Sequence, residues 1–206
     1  MPRLIVVAGV NGSGKSTLTQ AKRFNNVGVI DPDAIAKEMT NSLAASARIV
    51  GGKEAIKRRR EYLAAKKSFV LETTLSGRST LRFIGKARQM GYEIELHYIY
   101  LIDVEQSADR VKTRVSKGGH NIPKQDLVRR FERSRDNFED AALISDRIVV
   151  YDNAGIDAIF QTVMDAQSKK IEFAQQAPEW LMESIGNIRN RARQMGGHAK
   201  LFWCDG

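Results

Sequence analysis

Nine residues near the start of this chain, Gly9-Val10-Asn11-Gly12-Ser13-Gly14-Lys15-Ser16-Thr17, constrain its fold more than any other stretch. They fit the pattern G-x-x-x-x-G-K-[ST] and follow directly on the apolar run Leu4-Ile5-Val6-Val7-Ala8. A buried strand, a glycine-rich turn and the start of a helix are thereby expected in that order. Glycines let backbone N–H groups turn inward around a phosphate, and the helix N-terminus adds a favourable potential for the anion. The expected ligand is a nucleoside triphosphate, ATP, held by Gly9, Asn11, Gly12, Ser13, Gly14, Lys15, Ser16 and Thr17. Lys15 brings positive charge to the β- and γ-phosphates, and the Ser16 hydroxyl is the expected ligand of Mg²⁺.

The rest of the chain alternates short apolar runs with amphipathic stretches, which predicts an α/β fold with a parallel sheet covered on both faces. Strands are expected at Arg3–Ala8, Val27–Ile30, Phe69–Leu71, Ile94–Ile102 and Arg147–Tyr151. Helices are expected from Lys15 to about Phe24, then after Asp31-Pro32, with the aspartate as N-cap and the proline in the first turn. Further helices are predicted near 53–67, 79–90 and 124–138, with two more near 157–174 and 179–194. Gly91 is placed to terminate the helix before it, and Asp103-x-x-Gln106 reads as a capping box. The spacing predicts one kinase-like domain over 1–175, with residues 176–206 as a helical extension of it and Trp180 and Trp203 packing over the sheet.

Composition narrows the setting. The 206 residues, 42% hydrophobic and 28% charged, suit one substantial core rather than a disordered chain. No apolar run is long enough to span a bilayer and no secretory signal is seen, so a cytoplasmic protein without membrane contact is expected. The single cysteine, Cys204, excludes an intrachain disulfide and fits a reducing compartment. His97, His120 and His198 are too scattered to make a metal cluster with it. A net charge of +9 suits polyanionic ligands and leaves room for a nucleic-acid partner. The few aromatics are not interleaved with the basic runs, which argues against that partner. Lys57-Arg58-Arg59-Arg60 reads as a solvated helix face.

In open α/β sheets ligands bind beyond the carboxyl ends of the strands. Asp33, Glu72, Asp103 and Asn153 each follow a predicted strand and so fall near the phosphate loop. Asp31 already caps its helix, so Asp33 is free to serve as the base that takes a proton from a substrate hydroxyl. Glu72-Thr73-Thr74 begins where an apolar strand ends and is expected to bind substrate hydroxyls or order the Mg²⁺ shell. Ile99 to Asp103 looks like a metal-binding strand end, but the capping box accounts for Asp103, which is not assigned to the metal. Arg110, Arg114, Arg129, Arg130 and Arg133 flank Gly118-Gly119-His120 on two basic helices. They read as a lid over about 110–138, with His120 as a structural or substrate contact. Arginine suits a lid because its planar fork matches phosphoryl oxygens.

Together, Gly9 to Thr17, Asp31-Pro32-Asp33-x-Ile35-Ala36, Glu72 to Gly77, Gly118-Gly119-His120-x-Ile122-Pro123, Arg129-Arg130-x-x-Arg133-Ser134 and Tyr151-Asp152-Asn153 resemble the zeta-toxin-like family of P-loop kinases. The likeness covers about residues 3–155. It implies a three-layer P-loop fold like that of nucleoside monophosphate kinases, with a five-stranded parallel sheet of order 2-3-1-4-5. It further implies an ATP-dependent transfer of phosphate to a sugar hydroxyl of UDP-N-acetylglucosamine, and a small antitoxin as possible partner. Carried over by position, Lys15 and Ser16 serve phosphate and Mg²⁺, Asp33 is the base, and Glu72 is the substrate-binding acid. The paired lid arginines become Arg114 with either Arg129 or Arg130. From the residues themselves, Thr73, Thr74 and His120 are expected to join Glu72 at the substrate, and Arg110 and Asn153 to border the nucleotide. Two other readings fit the motifs: a kinase for polynucleotide ends or another small molecule, and a nucleotide-binding switch without transferase activity.

Overall fold

The computed structural model describes residues 1–22, 24, 27–40, 45–116, 122–155, 160–167 and 170–195. Cys204, Trp203 and the lid residues Gly118, Gly119 and His120 lie outside them. Strand β1 (Arg3–Ala8) leads through the phosphate loop into α1 (Lys15–Lys22), and β2 (Gly28–Ile30) into α2 (Pro32–Thr40) and α3 (Ala45–Ala64). Next come β3 (Phe69–Thr73), α4 (Arg78–Gln89), β4 (Glu93–Tyr100), α5 (Val104–Ser116) and α6 (Lys124–Leu143). The chain closes with β5 (Arg147–Asp152), β6 (Gln161–Gln167), β7 (Lys170–Phe173) and α7 (Glu179–Gln194).

Local chemistry explains the boundaries. Asp31 caps α2 by accepting the Asp33 N–H at 3.0 Å. Helix α4 stops in a Schellman turn: Gly91 adopts φ 83°, its N–H reaches Arg88 O, and the Tyr92 N–H reaches Ala87 O. At the start of α5, Asp103 accepts the Gln106 N–H at 2.8 Å, as a cap does.

The sheet corrects the sequence-based picture in two linked ways. It has seven strands, not five, in the order β2-β3-β1-β4-β5-β6-β7. The first five are parallel, whereas β6 and β7 pair antiparallel to their neighbours. The helix expected at 157–174 is therefore this hairpin. Its residues are mostly good helix formers, and no glycine, proline or asparagine marks its turn. Pairing with β5 overrides that propensity, because it buries Val163, Met164 and Ala166 completely. Arg147 then clips β6 on, bonding Asp165 at 2.7 and 3.2 Å.

The main core lies on the face covered by α3, α4, α6 and α7, around Leu4, Val6, Phe69, Leu96, Tyr98, Phe138 and Ile148. Helix α7 is part of it: Leu181, Ile188 and Ala192 have no exposed surface. Trp180 packs against Tyr98, Tyr100 and Phe138 at ring distances of 5.5–6.0 Å. A smaller cluster, including Ile5, Val7, Leu18 and Tyr151, sits under α1. The rear half of α6 is likewise core rather than lid, since Ser134, Asn137, Phe138 and Ala141 are buried.

Candidate active site

The phosphate loop is clamped between β4 and β5. Gly9, at φ +148°, passes so close to β4 that a Cβ there would stand 2.4 Å from the Ile99 carbonyl. Gly14, at φ +93°, leaves 2.8 Å between such a Cβ and the Asn153 amide. Neither position admits a larger residue without moving backbone or a buried side chain. Three side chains from outside hold the loop's shape. Asn153 donates to Ser13 O at 2.9 Å, Ser107 to Asn11 O at 2.7 Å, and Arg130 to the Asn11 side chain at 3.2 Å. The Lys15 ammonium lies across the loop and donates to Gly9 O and Val10 O, both at 2.9 Å. An ammonium has three protons, so one remains to meet a phosphate oxygen.

Beside this loop opens a cleft of about 430 Å³, within the size range of small-molecule sites. Its lining brings together Asn11, Gly12, Lys15, Ser16, Asp33, Glu72, Thr73, Thr74, Arg114 and Arg130. Ser16 at the head of α1 donates to the Glu72 carboxylate at the end of β3, 2.8 Å away. That hydroxyl and carboxylate are the hard oxygen donors a magnesium ion takes. Among the described residues no three His, Cys, Asp or Glu side chains gather to hold a metal unaided. A magnesium ion here would thus draw most of its ligands from phosphates and water.

The turn after β3 is held in a costly shape. Leu75 sits at φ 56°, a left-handed backbone that a leucine adopts at a cost on the order of 1–3 kcal/mol. Thr73 accepts its N–H at 3.0 Å, Asn137 donates to its carbonyl at 2.7 Å, and its side chain is fully buried. The anchored turn keeps Thr73 and Thr74 at the cleft wall, with Thr74 hydrogen-bonded to Ser76 at 2.8 Å.

Electrostatics in the cleft are tightly coupled. Burial draws the Lys15 pKa down, opposed by Glu72, Asp31 and Asp33. Burial pushes the Glu72 carboxyl up, helped by the neighbouring Asp31 and opposed by the bonds to Ser16 and the charge of Lys15. Asp31 is raised mainly by burial as well. Negative groups crowded here favour arriving cations, whether magnesium or a proton from a substrate hydroxyl.

Some expected residues stand elsewhere. Thr17 is exposed on α1, and Arg133 is exposed on α6. Arg129 pairs with Asp126 at 2.7 Å, so Arg114 and Arg130 are the lid arginines that share the cleft. Arg110 belongs to a second, shallower concavity of about 500 Å³, lined also by Gln106, Ala154 and Gly155. It adjoins the phosphate loop, because a Cβ on Gly12 would lie 3.0 Å from that of Arg110. Asn153 supports the loop from behind and does not line the cleft.

Among the charged residues of the cleft, two lie outside the sequence-based expectation. Asp31 lines the cleft as well as capping α2. Arg59, taken for part of a solvated basic face, also lines it. The signal was present: Arg59 lies four residues from each of Ala55 and Leu63, both buried, which puts it on the inner face of α3.

Comparison with known proteins agrees with this architecture. The family model described as Zeta toxin matches residues 1–165, and the chain belongs to that family. An uncharacterized protein of Haemophilus influenzae is 35% identical over 127 residues, 62% of this chain and 90% of that one. Among solved structures, the AvrRxo1-ORF1:-ORF2 complex with ATP is similar at a TM-score of 0.64 and 18% identity, covering 84% of this chain. This chain spans only 61% of that protein's length. The PezAT chromosomal toxin-antitoxin system of Streptococcus pneumoniae is similar at a TM-score of 0.62 and 17% identity, over 95% of this chain and 87% of that one. At such identities the structural likenesses speak for the fold, an α/β P-loop kinase type.

Proposed function

We propose that this member of the zeta toxin family is an ATP-dependent kinase that transfers the γ-phosphoryl group to a hydroxyl of a small metabolite. The observation that carries the reading is one cleft that gathers a phosphate-loop lysine, three arginines and a separate carboxylate, Asp33, that is not needed as a cap. A nucleotide switch has no use for such an acceptor-side base.

The triphosphate would lie along Gly12 to Ser16, with the base of the nucleotide toward Arg110, Ala154 and Gly155. The acceptor hydroxyl would enter between Asp33 and Thr73–Thr74. Its oxygen attacks the γ-phosphorus as its proton passes to the Asp33 carboxylate, and the bond to the β-phosphate oxygen breaks to release ADP. Lys15, Arg114 and Arg130 stabilise the charge spreading over the transferring group, so that catalysis is mainly positioning and electrostatics. Ser16 and Glu72 would hold a magnesium ion, which when bound neutralises phosphate charge.

The family resemblance makes UDP-N-acetylglucosamine the first acceptor to try, and an antitoxin-like protein the first partner to seek. The test is mass spectrometry of acceptors incubated with Mg²⁺-ATP and either the native protein or Asp33→Asn. One acceptor is expected to gain a phosphate, and Asp33→Asn to slow that gain by about 10²–10⁴-fold. Calorimetry should find its ATP affinity unchanged. Equal loss of ATP binding and transfer would remove Asp33 from the role of base.

A further inference from the structure

The acceptor end of the cleft carries a positive charge of its own. Arg59 projects from the inner face of α3 into the lining, beside Ile56 and opposite Ser79 and Thr80 of α4. Its guanidinium lies 5.0 Å from the centre of the Phe83 ring, a cation–π contact that fixes the plane of the fork. Among the described residues none accepts a hydrogen bond from it and no carboxylate pairs with it, and its Nε is buried without a partner. Burial, together with the positive charge of the neighbouring Arg60, pulls its pKa below the ordinary arginine value. Lys15, by contrast, stands among Glu72, Asp31 and Asp33.

A half-buried guanidinium with its Nε enclosed and no acid beside it is left under-satisfied unless a ligand supplies an anion. We infer that Arg59 is a specificity-determining residue that binds an anionic group, phosphate or carboxylate, on the alcohol acceptor. The inference deepens the kinase reading and rests on it for the word acceptor. Arg59 touches no reacting atom in this scheme. It draws in acceptors whose anion can reach α3 while their hydroxyl lies at Asp33, and it rejects neutral alcohols of the same shape by leaving the fork unpaired.

Two assays separate this inference from the kinase reading. In the first, full-length protein saturated with a non-hydrolysable Mg²⁺-ATP analogue is titrated calorimetrically with inorganic phosphate and with malonate. Saturable binding of one probe is expected, and its identity distinguishes phosphate from carboxylate. Arg59→Gln should weaken that binding by about 10- to 100-fold, the worth of a charge-assisted hydrogen bond. Arg59→Lys, which keeps the charge but not the fork, should fall between, and it carries the test if the glutamine variant does not fold. No saturable binding of either probe, or equal affinity in the native protein and both variants, overturns the inference.

The second assay compares phosphate gain in matched acceptors, such as glycerol with glycerol 3-phosphate and N-acetylglucosamine with UDP-N-acetylglucosamine. The anionic member of a pair should be preferred, and Arg59→Gln should raise its KM far more than it lowers kcat. Equal use of both members overturns the inference while leaving the kinase reading intact. If nothing gains phosphate, the kinase reading falls, and the calorimetry alone decides whether Arg59 binds an anion.

Discussion

Facing walls of the cleft differ in how their polar groups are satisfied. On the phosphate-loop wall most of the charged and amide groups are bonded within the chain, Lys15 to two carbonyls, Ser16 to Glu72, Arg130 to Asn11, and Asn153 to the loop from behind, while the Ser13 hydroxyl is buried without a partner. On the wall built by α3 and α4, Arg59 rests on an aromatic ring and finds no acid among the described residues. Under the proposed kinase reading, the first wall would serve a ligand part that never varies, the triphosphate, and the second would leave its strongest donor to whatever the acceptor brings. Nucleotide and acceptor would then be met by separate structural units, each open to perturbation on its own.

The harshest perturbation belongs to the first wall. Lys15→Ala removes a cation embedded among three carboxylates, Glu72, Asp31 and Asp33. It is expected to lower transfer by about 10³-fold or more, with ATP binding lost alongside. Single-turnover transfer and nucleotide calorimetry would show it; retained ATP affinity would mean that the loop amides suffice without the lysine.

Gly51→Ala strains the second wall where α3 meets α2, away from the phosphate loop. A Cβ at Gly51 of α3 would stand 2.5 Å from Pro32 O and 2.8 Å from Ala36 Cα of α2, so the two helices must part. Overpacking of this kind costs about 1–3 kcal/mol of stability, readable as a drop in melting temperature. The KM for acceptor should rise while ATP affinity holds. A matching loss of ATP affinity would show that the walls are not separable.

The mildest change tests the coupling between the carboxylates. Because the folded-state pKa of Glu72 is raised, its ionised form opposes folding, and that penalty grows as pH rises through its folded pKa. Glu72→Gln should therefore melt higher than the native protein at neutral pH, with the gap closing as the solution is acidified toward the ordinary carboxylate range. A gap that widens in acid would reverse the sign assigned to this group. Any gain in stability would accompany a loss of transfer, since Glu72 accepts from Ser16, the residue proposed to hold magnesium with it.

What the sequence revealed follows the same division. The phosphate loop, the Asp31 cap, the Gly91 stop and the alternation of strand and helix are short-range chemistry, legible from neighbouring residues. A reading that gives Arg59 and Asp31 one job each, as surface charge or as cap, hides them; the spacing of Arg59 from Ala55 and Leu63 puts it on the inner face of α3, and the packing against Phe83 of α4 brings it into the cleft lining. The β6–β7 hairpin was hidden for a different reason. Its strand character comes from pairing with β5, across a gap of eight residues between the two strands, and nothing local outweighs its helix-forming composition.

That hairpin also governs how far the chain can be trimmed. With β6 in place, β5 has neighbours on both sides, and the Asn153 that steadies the phosphate loop stands just beyond an interior strand. A chain cut after Gly155 would keep every catalytic candidate yet bare the full edge of β5, a ready template for pairing with another chain. Such a fragment would be expected to aggregate before its chemistry could be measured.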